Sequence, residues 1–125
     1  MAYADEYVGL SGNTALSIGG IAGSVVALGS TLGTAAVLGQ SINTVTGGDG
    51  TKGVVLQAAP AGDEVWVWNN SGSNLKVYPN SASGLIAIPG TSLGSAGAAV
   101  LIAANQGALY KSLGSNNWLA IKSTT

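Results

Sequence analysis

The chain of 125 residues contains no cysteine and no histidine, and charged residues make up only 7% of it. Without cysteine there is no disulfide framework and no thiol chemistry. Without histidine, acid–base catalysis near neutral pH would depend on four basic and five acidic residues. The adjacent carboxylates are Asp5–Glu6 and Asp63–Glu64, and neighbours on a strand point to opposite faces. The residues therefore predict a protein that is not an enzyme and that uses no cofactor and no metal.

The scarcity of charge also bears on the partners. The basic residues are four scattered lysines and the formal net charge is −1, which gives no electrostatic footprint for nucleic acid. No basic amphipathic segment is present that would bind a membrane surface. Apolar residues make up 46% of the chain, whereas a free soluble monomer normally keeps a charged surface without apolar patches. We therefore expect much of the surface to be buried against other protein.

The N-terminal third has few features that identify it. Residues 1–13 hold Tyr3 and Tyr7 among small and polar residues, and are either an arm anchored on a partner or a first strand. The start lacks the positive region of a secretory signal, which predicts synthesis and assembly in a cytoplasm. The stretch Ile18–Leu38 is long enough to span a membrane. Its many Gly, Ser and Thr residues and its lack of flanking anchors favour short strands over a transmembrane or short helix.

The whole chain shows strand signals. About eight to ten short apolar runs recur at spacings of roughly 8 to 12 residues between Gly, Asn and Ser turns, which is typical of all-β domains. No internal repeat stands out, and the Gly47–Gly50 stretch has too few ligands for a calcium loop and is predicted to be a turn. We expect residues 14–125 to form one domain, a β-sandwich or jelly-roll-like barrel of short antiparallel strands.

The most marked strand signal lies in residues 62–79. Val65–Trp68 is a β-branched and aromatic run, the polar turn Asn69–Asn74 follows it, and Leu75–Tyr78 resumes the alternation. This pattern predicts a β-hairpin. Because side chains alternate along a strand, Val65 and Val67 share one face and the two tryptophans share the other. Both faces carry apolar bulk, so one of them needs a cover from a neighbouring chain.

Aromatic residues are the candidate contact residues, because Trp and Tyr are favoured at protein interfaces. The candidates are Tyr3, Tyr7, Trp66, Trp68, Tyr78, Tyr110 and Trp118. In a second interpretation Trp66, Trp68 and Tyr78 form an exposed platform that stacks on sugar rings. The low charge of the whole chain favours a protein interface over a carbohydrate site.

The segment from Gly39 to about Lys122 resembles a small β-domain found in virion proteins of tailed bacteriophages. The matching residues are Ser41-Ile-Asn-Thr-Val45, Gly53-Val-Val-Leu56, Ala58-Ala-Pro60, Gly62, Val65-x-Val67-x-Asn69, Leu75-x-Val77-Tyr78-Pro79 and a closing strand around Trp118. The Val-Tyr-Pro ending and the spacing before it are the more specific parts, and residues 1–38 are not matched.

The resemblance implies a capsid decoration (cement) or head-fibre protein. Such a protein is oligomeric, here expected to be a homotrimer, and binds the major capsid protein on the outer surface of the virion after synthesis in the host cytoplasm. It brings no catalytic residues and no cofactor. The unmatched N-terminal third leaves cement, fibre base and tail component open, with a carbohydrate- or receptor-binding module of a fibre or tail as the alternative.

Overall fold

The computed structural model describes residues 22–91 and 93–123. The predicted arm or first strand, with Tyr3 and Tyr7, lies outside these residues. The described residues contain strands and no helix, which confirms the all-β class. The strands are β1 (Ala22–Val26), β2 (Ala36–Val37), β3 (Ile42–Thr46), β4 (Gly53–Val55), β5 (Glu64–Asn69), β6 (Leu75–Tyr78), β7 (Ile86–Ala87), β8 (Val100–Ile102), β9 (Gly107–Gly114) and β10 (Asn117–Lys122).

The strands form two mixed sheets. The six-stranded sheet has the order β1-β3-β5-β9-β10-β7, and the four-stranded sheet has the order β2-β4-β6-β8. From β1 to β9 each strand lies in the sheet opposite to that of the strand before it. The chain therefore winds between the sheets, and each winding adds one strand to each of them.

This winding explains why the predicted antiparallel pairing is wrong for most of the molecule. Two crossovers return the chain to the same sheet in the same direction, so β1, β3 and β5 run parallel, as do β2, β4 and β6. The pair β7–β10 is also parallel. Antiparallel pairing is found for β5–β9, β9–β10 and β6–β8.

The predicted hairpin of residues 62–79 is wrong for a related reason. Both of its strands form at the expected residues, as β5 and β6, but they belong to different sheets. Val67 of β5 and Val77 of β6 are both almost fully buried in the same core. Each strand contributes its valines to that core from its own layer, so the polar stretch 70–74 is a crossover between sheets and not a hairpin turn.

The core lies between the two sheets and is filled by large side chains set against small ones. Tyr110 is paired with Ala120 across β9 and β10, and Trp118 is paired with Ser112. All four are buried. Alternation of large and small residues across facing positions lets the layers interdigitate without voids. The two sheets share this one core, which includes Val45 of the larger sheet and Val54 of the smaller one.

The described residues contain no helix that is both long and apolar enough to cross a membrane. The part of Ile18–Leu38 that is described contains β1 and β2, separated by the turn around Ser30–Thr34. Over that part, the preference for short strands over a helix is confirmed.

Candidate interaction surface

The structure divides the predicted aromatic contact residues into two groups. Trp66 and Trp68 are exposed, by 48% and 47% of their surface. Tyr78, Tyr110 and Trp118 are buried within the chain itself. The Tyr78 hydroxyl donates to the Ser30 carbonyl oxygen at 2.7 Å. These three side chains therefore belong to the interior, and the prediction that places them at a surface interface is corrected.

The alternation along β5 determines which aromatic residues reach the surface. Val65, Val67 and Asn69 point inward, whereas Glu64, Trp66 and Trp68 point outward. The prediction that the valines and the tryptophans lie on opposite faces is confirmed. The tryptophans thus lie on the side of the six-stranded sheet that faces away from the smaller sheet.

Strand register aligns Trp66 with other apolar residues on this side. Trp66 of β5 is paired with Ile42 of β3 and Leu109 of β9, and Leu109 is paired with Ile121 of β10. Ile42 is 50% exposed and Ile121 is 58% exposed. We call Ile42, Trp66, Trp68, Leu109 and Ile121 the outer face. Paired residues on adjacent strands lie about 5 Å apart, so four strands carry one continuous apolar row.

A groove runs along the outer face next to Trp68. Its volume is about 500 Å³, and Trp66, Trp68, Leu109 and Ile121 contribute to its walls. The residue paired with Trp68 on β9 is Gly107, which has no side chain. Gly107 also lines the groove, and a Cβ at this position would lie 3.2 Å from the Val67 carbonyl oxygen, so a larger residue would crowd the backbone of β5.

Charged groups lie at the margin of the outer face. Lys111 Nζ lies 3.0 Å from Glu64 Oε2, and both side chains are about half exposed. Lys122 borders the groove, and its Nζ donates to the carbonyl oxygen of Leu101 at 3.0 Å. An exposed ion pair of this kind contributes little stability, ~0–1 kcal/mol. The centre of the outer face is apolar, and its flanking charges have partners.

The remaining candidate chemistry does not converge on a site. Asp63 and Glu64 are exposed, and Glu64 pairs with Lys111. The Asp49 carboxylate accepts hydrogen bonds from the Thr51 hydroxyl at 2.6 Å and from the backbone of Thr51 and Lys52, which lowers the pKa of Asp49. These bonds close the predicted turn locally. Over residues 22–91 and 93–123, no group of three or more potential metal ligands is found.

Three members of the outer face, Ile42, Leu109 and Ile121, were missed by sequence reasoning. Each lies at an alternating position of a strand, so which of its neighbours share its face could be read from the sequence. The sequence did not show which strands lie side by side, because β3, β5 and β9 are separated along the chain by strands of the other sheet.

No protein-family model, curated protein or solved structure significantly matches the chain. The outer face and the sequence motifs are therefore the features that bear on function.

Proposed function

We propose that the protein is a structural virion protein, a capsid decoration protein that binds the major capsid protein through the outer face. The observation that carries this proposal is the apolar row on the outward side of the six-stranded sheet, formed by Ile42, Trp66, Leu109 and Ile121. The resemblance of residues 39–122 to virion β-domains supports the choice of partner. The scarcity of charge over the whole chain supports a surface that is covered by protein in the assembled particle.

The exposed tryptophans contribute apolar area to such binding. About half of each ring system is exposed. A tryptophan buries up to about 250 Å² and burial yields roughly 25 cal/mol per Å², so covering the exposed half of one contributes about 3 kcal/mol before the costs of association. Tryptophan is also enriched among the residues that dominate binding energy at interfaces.

We further infer that the two sheets form a β-sandwich and not a closed barrel. Both sheets contribute to one core, and in the described residues each has two edge strands, β1 and β7 in the larger sheet and β2 and β8 in the smaller. A barrel would have no edges. The four-stranded sheet covers the inward side of the six-stranded sheet, and the outward side is left for a partner.

A decoration protein of this kind stabilises the capsid by mass action, because it binds the assembled shell and not its separated subunits. A homotrimer of the protein would bridge neighbouring capsid subunits from a single bound unit. The stabilisation then grows with the concentration of free decoration protein above its dissociation constant.

Capsid particles with and without the protein test this proposal under thermal or osmotic challenge. We expect particles carrying the native protein to resist rupture and particles carrying the double variant Trp66→Ala/Trp68→Ala to behave like bare particles. The matched control is Leu101→Ala, which truncates an exposed apolar residue of the smaller sheet. Equal resistance of decorated and bare particles, or an equal effect of the control, would contradict the proposal.

A second candidate function is carbohydrate or receptor binding in a phage fibre or tail. It is favoured by one observation: Trp66 and Trp68 lie two residues apart on the same face, and both line the groove. A glycan array with the full chain tests it, and hits are checked by quenching of tryptophan fluorescence. Loss of that quenching in Trp68→Ala would support the site, and an array without hits would rule against it.

A further inference from the structure

Asn43 of β3 is a polar side chain in the interior, and only one half of its amide group has partners. The residue is fully buried. Its side-chain nitrogen donates to the carbonyl oxygens of Gln40 at 2.9 Å and Trp66 at 3.2 Å. These two bonds fix the orientation of the amide, because the reverse orientation would set its oxygen against both carbonyl oxygens. Among the described residues, Asn43 Oδ1 is buried and has no donor.

The side chain of Gln40 brings a second oxygen of the same kind to this place. Gln40 Oε1 is buried and finds no donor within residues 22–91 and 93–123. The side chain packs on β1 at Gly23, where an added Cβ would lie 3.1 Å from Gln40 Cγ. Gly23 is paired with Asn43, and both positions face inward. Since adjacent strands lie about 5 Å apart, the two amide oxygens belong to one small region of the interior.

The other fully buried asparagine, Asn69, shows how such an amide is satisfied in this fold. Its nitrogen also donates to backbone carbonyl oxygens, but its Oδ1 accepts a hydrogen bond from the Ser71 hydroxyl at 2.6 Å. A buried acceptor without a donor loses its hydration and gains nothing in return. Two such acceptors close together also repel each other, because both carry partial negative charge. The pair formed by Asn43 and Gln40 therefore requires a donor with two hydrogens.

We propose that Asn43 Oδ1 and Gln40 Oε1 bind one buried water molecule, which donates one hydrogen to each oxygen. Buried waters bond to about two to four polar groups that otherwise have no partner. A cation does not fit, because two neutral amide oxygens leave its charge buried and unpaired. The Gln40 side chain is only partly buried, which gives the water a path from solvent. This proposal is independent of the virion function, because the site faces the core and not the partner.

A crystal structure of the full chain at a resolution that shows ordered waters tests the site directly. We expect a water oxygen within about 3.2 Å of both Asn43 Oδ1 and Gln40 Oε1. Three results would overturn the proposal: a site without a water, a direct hydrogen bond from Gln40 Nε2 to Asn43 Oδ1, or a donor to these oxygens from elsewhere in the chain.

Nuclear Overhauser effects between water and the Asn43 side-chain amide protons test the site in solution. We expect a cross-peak with the sign of a long-lived water in the native protein. The variant Gln40→Met keeps the length of the side chain and removes one of the two acceptors, so we expect the cross-peak to be lost. The matched control is Gln57→Met at an exposed position, which should retain it. No such cross-peak in the native protein, or equal cross-peaks in both variants, would overturn the proposal.

Discussion

Asn69 joins the two sheets, and its replacement gives the most direct test of the crossover between β5 and β6. Its side-chain nitrogen donates to the carbonyl oxygens of Ser73 at 2.8 Å, Ile102 at 3.0 Å and Ala103 at 3.1 Å. Its side-chain oxygen accepts from the Ser71 hydroxyl at 2.6 Å. The residue is fully buried. One amide group therefore binds the crossover and the end of β8 to the end of β5.

Asn69→Ala removes these bonds and leaves buried carbonyl oxygens without their donor. The amide has two hydrogens for three acceptors, so we count two net hydrogen bonds at about 1 kcal/mol each. Adding about 1 kcal/mol for an acceptor left without a donor gives a loss of about 3 kcal/mol in the free energy of unfolding. For a domain of this size that corresponds to a fall in Tm of roughly 12 °C.

Chemical denaturation followed by circular dichroism measures this loss. The matched control is Asn70→Ala, because Asn70 is the exposed neighbour and its backbone N–H, not its side chain, donates to the Val45 carbonyl oxygen at 2.8 Å. We expect the control to change the free energy of unfolding by less than about 0.5 kcal/mol. Equal stability of the two variants would show that Asn69 does not hold the sheets together.

Three further substitutions test other parts of the molecule. The Tyr110 hydroxyl is buried without a hydrogen-bond partner, and burial raises its pKa far above the usual range; Tyr110→Phe should leave stability in urea unchanged or raise it by about 1 kcal/mol. Gly29→Ala imposes a left-handed φ on a residue with a side chain and should lower stability by at least about 1 kcal/mol in the same assay. Hydrogen bonds lower the pKa of Asp49 in the folded state. The stability that the Asp49 carboxylate contributes is therefore present above its unfolded pKa of 3.8 and is lost as the pH falls through its folded pKa. Native protein and Asp49→Asn should therefore converge in Tm under strongly acidic conditions, and a constant difference would contradict this.

The strands themselves could be predicted from local sequence, and their pairing could not. The two strand segments of residues 62–79 and the faces of their valines follow from composition and alternation, which are local properties. Which strand pairs with β5 depends on whether the chain turns back within the same sheet or crosses to the other sheet. A six-residue polar stretch permits both connections. The local hairpin that does form, β9–β10, has the two-residue loop Ser115–Asn116 with φ values of 54° and 65°. Loops of this short type match the twist of antiparallel strands.

The burial of the aromatic residues shows the same limit. Alternation indicates that Trp118 and Ala120 share a face, but it does not indicate whether that face is inside. The structure places Trp118 in the core, where its indole N–H donates to the Asn80 side-chain oxygen at 2.9 Å. Trp66 is also a tryptophan on a strand of the larger sheet, but its side chain lies on the outer face. The difference arises from which side of the larger sheet the smaller sheet covers, and that is a property of the whole fold.

The position of the core bears on why the outer face is apolar. Trp118 and Tyr110 are fully buried in the core to which both sheets contribute. Trp66, Trp68 and Ile121 add little to that core, because about half of each remains exposed. Exposed apolar rows on edge-containing sheets favour aggregation, so such residues carry a cost in solution that the fold does not require. A partner that covers the row removes this cost and converts the same residues into binding energy, which is the physical reason for placing the function on the outer face.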